Sequence, residues 1–252
     1  MKLNYKLLGE GEPLIIAHGL FGSLDNWMSM AKRLAENFQV YLIDHRNHGK
    51  SPHSDEMSYD LMAEDLHEFI EEHELISPSI IGHSMGGKAA MALDNKYPGS
   101  LNKLVVIDIG IKEYPPHHQK ILAGLNNLDL PSLRSRSQAD GRLEEFVEES
   151  GVRQFLLKGL YRNKEGTYSL RYNLGTIQER MDNILSELNI EGSETKTLFI
   201  RGELSGYLLD EDILGLQKVF KNSDVATIPE SGHWVHAEKP NELFDTLSDF
   251  LR

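Results

Sequence analysis

Short apolar runs recur along the chain, and glycine, proline or polar turn residues close each of them. The runs are nearly continuous rather than alternating, which is typical of strands that are buried on both faces. We therefore predict six core strands, which lie within residues 13–19, 39–46, 78–84, 103–110, 196–202 and 224–232.

Between these runs the apolar residues change to helical spacing. Residues 61–70 and 240–252 each place their large apolar side chains on one helix face. Strands that alternate with helices predict a mostly parallel sheet with helices on both faces. At the start of the chain, Gly9, Gly11 and Pro13 lie between two short strand patterns, so we expect an antiparallel hairpin at the sheet edge.

Residues 111–195 interrupt the alternation. They contain no strand run of comparable strength, they are polar and helical in pattern, and Pro115 and Pro116 mark where they begin. Long insertions between core strands tend to carry function, because ligands bind at the edge of the sheet that such loops cover. We expect this segment to be a helical cap within a single domain that spans residues 1–252.

Composition and charge narrow the classes of function. The 252 residues are 40% hydrophobic and carry a net charge of −13, which disfavours nucleic-acid partners and anionic membranes. The absence of cysteine excludes disulfides, thiolate metal sites and a cysteine nucleophile. With no signal-peptide pattern and no run long enough to span a bilayer, we expect a soluble cytoplasmic protein, monomeric or homodimeric, without membrane insertion.

One motif carries the chemistry. Gly82-His83-Ser84-Met85-Gly86 fits G-x-S-x-G and stands between a strand pattern and a helix pattern. A serine nucleophile must project from a sharp strand-to-helix turn, so the residues two positions away must be small. The backbone N–H of Met85 would then face the reacting oxygen at a helix N-terminus, where negative charge is favoured. The motif predicts that Ser84 is a nucleophile.

A phosphate-binding loop is the competing interpretation of the same stretch. Residues 82–88 match the first seven positions of G-x-x-x-x-G-K-[ST], but Ala89 stands where a hydroxyl should contact Mg²⁺. A nucleotide site would also give Ser84 no role, so we do not favour it.

A serine hydroxyl needs a base and the base needs a carboxylate. We predict His233 as the base, because it follows the last strand run, and loops after parallel strands gather on one sheet edge. His236 is its competitor. Asp108, at the end of the strand after Ser84, is the predicted acid, with Glu203 as the alternative.

The second half of an oxyanion hole should come from an earlier loop. Residues 18–23 read HGLFGS and carry two glycines, which lets backbone N–H groups face inward. We predict the N–H of Leu20 as the donor that accompanies Met85, with Phe21 as the second choice.

Five segments together resemble a known family. HGLFGSLDNW, IDHRNHGKS, GHSMGGKAAMAL, VIDIG and GHWVHAEKP, in this order and spacing, are similar to the α/β-hydrolase superfamily, and most of all to its bacterial YbfF-type esterases and the related abhydrolase-11 group. The resemblance implies a mostly parallel eight-stranded sheet with a helical cap inserted before the last two strands. It also implies a serine esterase with a nucleophile–acid–histidine triad.

The position of the acid is where this chain departs from many superfamily members. They place it three residues after the glycine that ends the strand at 196–202, and Ser205 occupies that position here. YbfF-type relatives use the aspartate that corresponds to Asp108, so the resemblance favours Asp108 and keeps Glu203 in reserve.

These observations predict a serine carboxylester hydrolase that acts on short-to-medium acyl esters and needs no metal or cofactor. The partner that we expect is a small-molecule ester. Acyl-CoA thioester hydrolysis and non-catalytic binding of a small molecule on the same fold remain the alternatives. The aromatic residues that we expect to line the substrate pocket are Phe21, Trp27, Phe155, Tyr161, Tyr207 and Trp234.

Overall fold

The apolar runs of the sequence form strands in the computed structural model, which describes residues 1–252. All six predicted core strands are present. The strands are β1 (Tyr5–Leu8), β2 (Glu12–Ala17), β3 (Phe38–Ile43), β4 (Ser79–His83), β5 (Lys103–Ile107), β6 (Leu160–Arg162), β7 (Tyr168–Leu170), β8 (Lys196–Gly202) and β9 (Ser223–Ile228).

Helices alternate with these strands, as the change of periodicity predicts. The two helices that the apolar spacing indicated are α2 (Tyr59–Glu72) and the C-terminal α11 (Pro240–Leu251). None of the helices combines the length and apolar character needed to cross a lipid bilayer. The helices are α1 (Met28–Leu34), α2 (Tyr59–Glu72), α3 (Met85–Lys96), α4 (Gln119–Asn126), α5 (Arg136–Glu144), α6 (Ser150–Lys158), α7 (Leu174–Glu179), α8 (Met181–Leu185), α9 (Asp210–Val219), α10 (Val235–Glu238) and α11 (Pro240–Leu251).

The main sheet has the strand order β1-β3-β2-β4-β5-β8-β9. All neighbouring pairs are parallel except β1 and β3, which are antiparallel. The prediction of a mostly parallel α/β sheet with helices on both faces is confirmed. The strand count was wrong, because the sheet has seven strands rather than eight.

The predicted hairpin between the first two strands was also wrong. β1 pairs with β3, with Tyr5 opposite Ile43, and β3 lies between β1 and β2. The two turn glycines have positive φ angles, and a Cβ on Gly9 would lie 2.4 Å from the carbonyl oxygens of Ala35 and Phe38. The glycines therefore carry the chain closely past the start of β3 instead of folding it back onto β1.

Alternate residues of the central strands face two separate apolar cores, one on each side of the sheet. Ile15 of β2 points into the larger core, with α2 and α3, whereas Leu14 and Ile16 point into the smaller one, with α1 and α11. Burial on both faces explains why the strands read as continuous apolar runs.

Residues 111–195, here called the inserted segment, lie between β5 and β8. They contain α4 to α8 and the short antiparallel pair β6 and β7. Both ends of the segment are joined to each other, since the N–H of Leu188 donates to the carbonyl of Ile111 (2.7 Å) and that of Tyr114 to Leu185 (2.9 Å). Its buried apolar side chains belong to the same core as α2 and α3.

Candidate active site

Ser84 occupies the turn between β4 and α3, and its backbone is strained. Its φ of 51° and ψ of −119° lie in a region that residues other than glycine rarely adopt. Such a conformation costs about 1–3 kcal/mol and persists only when neighbouring contacts hold it. The N–H of Ser84 donates to the carbonyl of Ile107 (2.9 Å), and its carbonyl accepts from Gly87 (2.8 Å). The half-buried side chain stands at the carboxyl edge of the sheet.

The two glycines of the motif are required by close backbone approach. A Cβ on Gly82 would lie 2.4 Å from the carbonyl oxygen of Gly86, and one on Gly86 would lie 2.4 Å from that of Ala17. The first contact is between β4 and the start of α3, and the second is with β2. The sequence pattern G-x-S-x-G thus reflects the packing of this turn against the neighbouring strand.

His233 and Asp108 meet at the same sheet edge as Ser84, because both follow parallel strands. The Nδ1 of His233 donates to Oδ2 of Asp108 at 2.7 Å. The Asp108 side chain is fully buried and that of His233 is 14% exposed. Since Nδ1 carries the donated proton, Nε2 is left as the free acceptor of the ring.

Two further donors hold the buried Asp108 carboxylate. The N–H of Gly202 donates to Oδ1 at 3.0 Å, and the hydroxyl of Ser205 donates to Oδ2. Ser205, at the position where the resemblance led us to consider an acid, is thus a hydrogen-bond donor to the predicted acid Asp108. Sequence reasoning noted this position but missed its role, because the contact joins residues 97 positions apart.

The alternative residues lie elsewhere. The carboxylate of Glu203 accepts from the backbone N–H of Glu230 at 2.9 Å and makes no hydrogen bond to His233. The ring of His236 is stacked on Trp27, with 4.4 Å between ring centroids. The structure thus brings Asp108 and His233 together and leaves Glu203 and His236 outside this pair.

A cavity of about 440 Å³ opens above the turn, and both Ser84 and His233 line it. The structure contains no hydrogen bond between the Ser84 hydroxyl and the His233 ring. Nucleophile–base hydrogen bonds are often long in enzymes without substrate, so the shared cavity is the relevant geometric fact. Four of the expected aromatic residues contribute to its wall, namely Phe21, Phe155, Tyr207 and Trp234.

Two aromatic residues that were expected in this pocket do not line it. Trp27 is 1% exposed and belongs to the smaller core, on the face of the sheet that α1 and α11 cover. Tyr161 lies on β6, where the guanidinium of Arg171 sits 4.9 Å from its ring centroid. Both positions depend on which side of an element faces the cavity, which aromatic composition alone does not indicate.

The predicted oxyanion donors are free to bind a ligand. Neither the N–H of Leu20 nor that of Met85 donates a hydrogen bond to another protein group. The carbonyl of Gly19 accepts from the N–H of Gly22 (3.0 Å) and from Nδ1 of His18 (2.8 Å). Because C=O and N–H point in opposite directions across a trans peptide, this fixes the direction of the Leu20 N–H.

The second-choice donor, Phe21, is occupied. Its N–H donates to Nε2 of His48 at 3.2 Å, which directs it away from the cavity. Leu20 is therefore the donor that the geometry of this loop offers.

Two groups hold the backbone and the ring of His233. Nε2 of His83 donates to the His233 carbonyl at 2.9 Å, and burial lowers the pKa of His83 well below its usual value. Tyr207 stacks on the imidazole, with 3.8 Å between centroids, and its hydroxyl lies 2.5 Å from Nε2 of His117. Burial raises the pKa of Tyr207 to about 12, so its hydroxyl stays protonated.

The structure does not support the phosphate-loop interpretation. The Lys88 side chain is fully buried, and its ammonium group donates to the carbonyls of Lys112 (2.8 Å) and Ser186 (2.5 Å). It therefore points into the protein rather than toward a bound phosphate. No three histidine, aspartate or glutamate side chains are grouped so that they could hold a metal ion.

The family follows from the comparison with known proteins. The model of the α/β-hydrolase fold family matches residues 12–240, so the chain belongs to this family. It is 35% identical to the esterase YbfF of Escherichia coli (strain K12), covering 100% of this chain and 99% of the relative.

Other relatives have related names. The chain is 35% identical to the sn-1-specific diacylglycerol lipase ABHD11 of Mus musculus, over 100% of this chain and 85% of that protein. A solved structure described as a marine microorganism esterase is 43% identical and superposes with a TM-score of 0.96, covering 99% of both chains. The resemblance to the YbfF-type and abhydrolase-11 groups is confirmed, and the esterase and lipase names agree with the predicted carboxylester hydrolase.

Proposed function

We propose that this protein is a serine carboxylester hydrolase that acts on small-molecule esters with short-to-medium acyl chains. The observation that carries the proposal is that Ser84 and His233 line one cavity, that the buried Asp108 is hydrogen-bonded to His233, and that two free backbone N–H groups lie in the same cavity wall. The esterase and lipase names of full-length relatives support the same reaction class.

In the proposed mechanism, Nε2 of His233 takes the proton of the Ser84 hydroxyl as its oxygen attacks the ester carbonyl. The Asp108 carboxylate keeps the ring in the Nδ1–H tautomer and stabilises the imidazolium that forms. The oxyanion of the tetrahedral intermediate accepts from the N–H groups of Leu20 and Met85. His233 then protonates the alcohol as it leaves. Water takes the place of the alcohol: His233 removes a proton from the water as it attacks the acyl carbon, and returns that proton to the Ser84 oxygen as the carboxylic acid is released.

The cavity above Ser84 suits an acyl chain. Most of its lining is apolar, and Phe155 and Trp234 contribute to its wall with their rings 5.9 Å apart. Several lining residues, among them Phe155, come from the inserted segment. We propose that this segment is a cap that closes the acyl site from one side.

Hydrolysis of a p-nitrophenyl ester series from C2 to C12 tests the reaction. We expect the highest kcat/KM at short-to-medium chain length. Ser84→Ala should lose activity and labelling by a fluorophosphonate, whereas Ser79→Ala, which removes a buried hydroxyl at the start of β4, should keep both. An inactive and unlabelled wild-type protein would favour a non-catalytic binding role.

The leaving group is tested with matched acyl-CoA thioesters. We expect oxygen esters to be turned over with the higher kcat/KM at equal acyl length. A large excess of thioester turnover would overturn this part of the proposal and assign the site to thioesterase chemistry.

A further inference from the structure

Hydrogen bonds hold the loop that carries Leu20 on both sides of that residue. On one side they are made to the carbonyl of Gly19, and on the other side the N–H of Phe21 is held by a histidine side chain. Phe21, directly after Leu20, has a positive φ of 59°, which a residue with a large side chain rarely adopts. Its N–H donates to Nε2 of His48, which lies in the loop after β3. His48 is fully buried, and its Nδ1 lies 2.9 Å from the carbonyl oxygen of Arg46.

The hydrogen bonds define the tautomer of His48. The N–H of Phe21 can only donate, so Nε2 must accept, and the proton is on Nδ1, which donates to Arg46. A protonated ring would lose the acceptor. Burial lowers the pKa of His48 to about 3, so the ring is neutral at neutral pH and keeps its acceptor.

We propose that His48 is a positioning residue for the oxyanion hole, since its Nε2 fixes the Phe21 peptide and thereby the direction of the Leu20 N–H. This inference rests on the proposed function, because it concerns the transition state of that reaction. His48 itself does not line the cavity, so it acts through the loop rather than by touching substrate.

The geometry shows why both supports are needed. The orientation of the Leu20 backbone is set by the two peptide planes that flank its Cα. The first plane is held at the carbonyl of Gly19, and the second is held at the N–H of Phe21. Without the bond to His48, the strained φ of Phe21 could relax and rotate the peptide next to the oxyanion donor.

A pair of amide substitutions separates the two hydrogen bonds of His48. The side-chain carbonyl of His48→Gln reaches as far from Cα as Nε2 does, so it can accept from Phe21. The amide of His48→Asn reaches only as far as Nδ1, so it can donate to Arg46 but leaves the Phe21 N–H without its acceptor.

We expect His48→Asn to lower kcat for a p-nitrophenyl ester about 10-fold to 100-fold with little change in KM. Complete loss of one oxyanion donor lowers kcat about 100-fold to 1,000-fold, and here the donor is misdirected rather than removed. The affinity for a trifluoromethyl ketone, which forms a tetrahedral adduct, should fall in parallel. His48→Gln should stay within about threefold of wild type, since it keeps the acceptor.

His45→Phe is the matched control. His45 is equally buried and lies in the same cluster of histidines, but neither of its ring nitrogens has a hydrogen-bond partner. Its ring packs edge to face on His18, and a phenyl ring can keep that contact. We expect kcat to be unchanged within about twofold.

Several results would overturn the inference. If His48→Asn and His48→Gln lose kcat equally, or if KM alone changes, the Phe21 bond does not position the donor. If both variants fail to fold, ¹⁵N NMR of the wild-type histidine rings decides, because an Nε2–H tautomer at His48 excludes the bond and an Nδ1–H tautomer supports it. A wild-type protein that hydrolyses no ester removes the proposed function and this inference together, whereas an active wild type with an active His48→Asn removes the inference alone.

Discussion

At the scale of single residues, the burial of Asp108 is the feature that the site depends on. A carboxylate without solvent contact is costly unless hydrogen bonds satisfy its oxygens. Here backbone, hydroxyl and imidazole donors come from Gly202, Ser205 and His233, all of them from segments far along the chain. The donors therefore come from two segments, residues 202–205 and the loop after β9, which together hold the Asp108 carboxylate against His233.

This arrangement predicts that Asp108→Asn lowers kcat by roughly 1,000-fold or more, because the amide favours the wrong tautomer of His233 and cannot stabilise the imidazolium. Glu203→Gln should stay within about twofold of wild type, since Glu203 bonds to the backbone of Glu230 instead. Steady-state kinetics on one ester, with folding checked by circular dichroism, measures both. The reverse order of the two effects would reassign the acid.

At the scale of elements, helix α3 joins the Ser84 turn to both ends of the inserted segment. Lys88 lies one turn after Ser84, and its ammonium group donates to Lys112 at the beginning of the segment and to Ser186 near its end. Tyr59 of α2 donates to the carbonyl of Ile184 at 2.7 Å in the same region. The segment is thus anchored to the two helices that pack on that face of the sheet.

Lys88→Met should destabilise the protein by about 2–4 kcal/mol, because it leaves two part-buried carbonyl groups without a donor. Urea unfolding at pH 7 measures the loss. Lys96→Met is the control on the same helix, since Lys96 is partly exposed and pairs with Glu64 on the surface. It should cost less than about 1 kcal/mol. Equal costs for the two substitutions would show that Lys88 does not anchor the segment.

At the scale of the whole molecule, buried neutral histidines connect stability to pH. Burial lowers the pKa of His18 to about 4 and the pKa of His48, His118 and His236 to about 3. In the unfolded chain these rings have a pKa of about 6.5. Between the two values the unfolded state binds protons that the folded state excludes, so stability is full above pH 6.5 and falls as the pH approaches 3–4.

We therefore expect the free energy of unfolding to decrease steeply as the pH is lowered below 6.5. Each such histidine contributes about 1.4 kcal/mol per pH unit. Urea titrations at half-unit steps from pH 7.5 to 4.5 measure the slope. His236→Phe removes one of these groups and keeps an aromatic ring on Trp27, so it should reduce the slope by about one proton. A slope that is unchanged in this variant, or a flat stability profile, would contradict the expectation.

Sequence reasoning succeeded where the physical cause is local. A strand buried on both faces must be apolar along its length, so β2, β4 and β5 could be located directly. The tight turn at Ser84 requires small residues two positions away on each side, so the turn could be located from five letters of the sequence. Loops after parallel strands lie on the same edge of the sheet. This is why Asp108 and His233 could be predicted to lie close together.

The tertiary structure alone decided what depends on packing between distant residues. It inserted β3 between the first two strands, placed Trp27 in a core instead of the cavity, and brought Ser205 to the acid. It also placed His48 beside the loop that carries Leu20, and Lys88 between the ends of the inserted segment. Local periodicity and turn chemistry contain no information on which surfaces meet, since that is set by the fit of whole elements against one another.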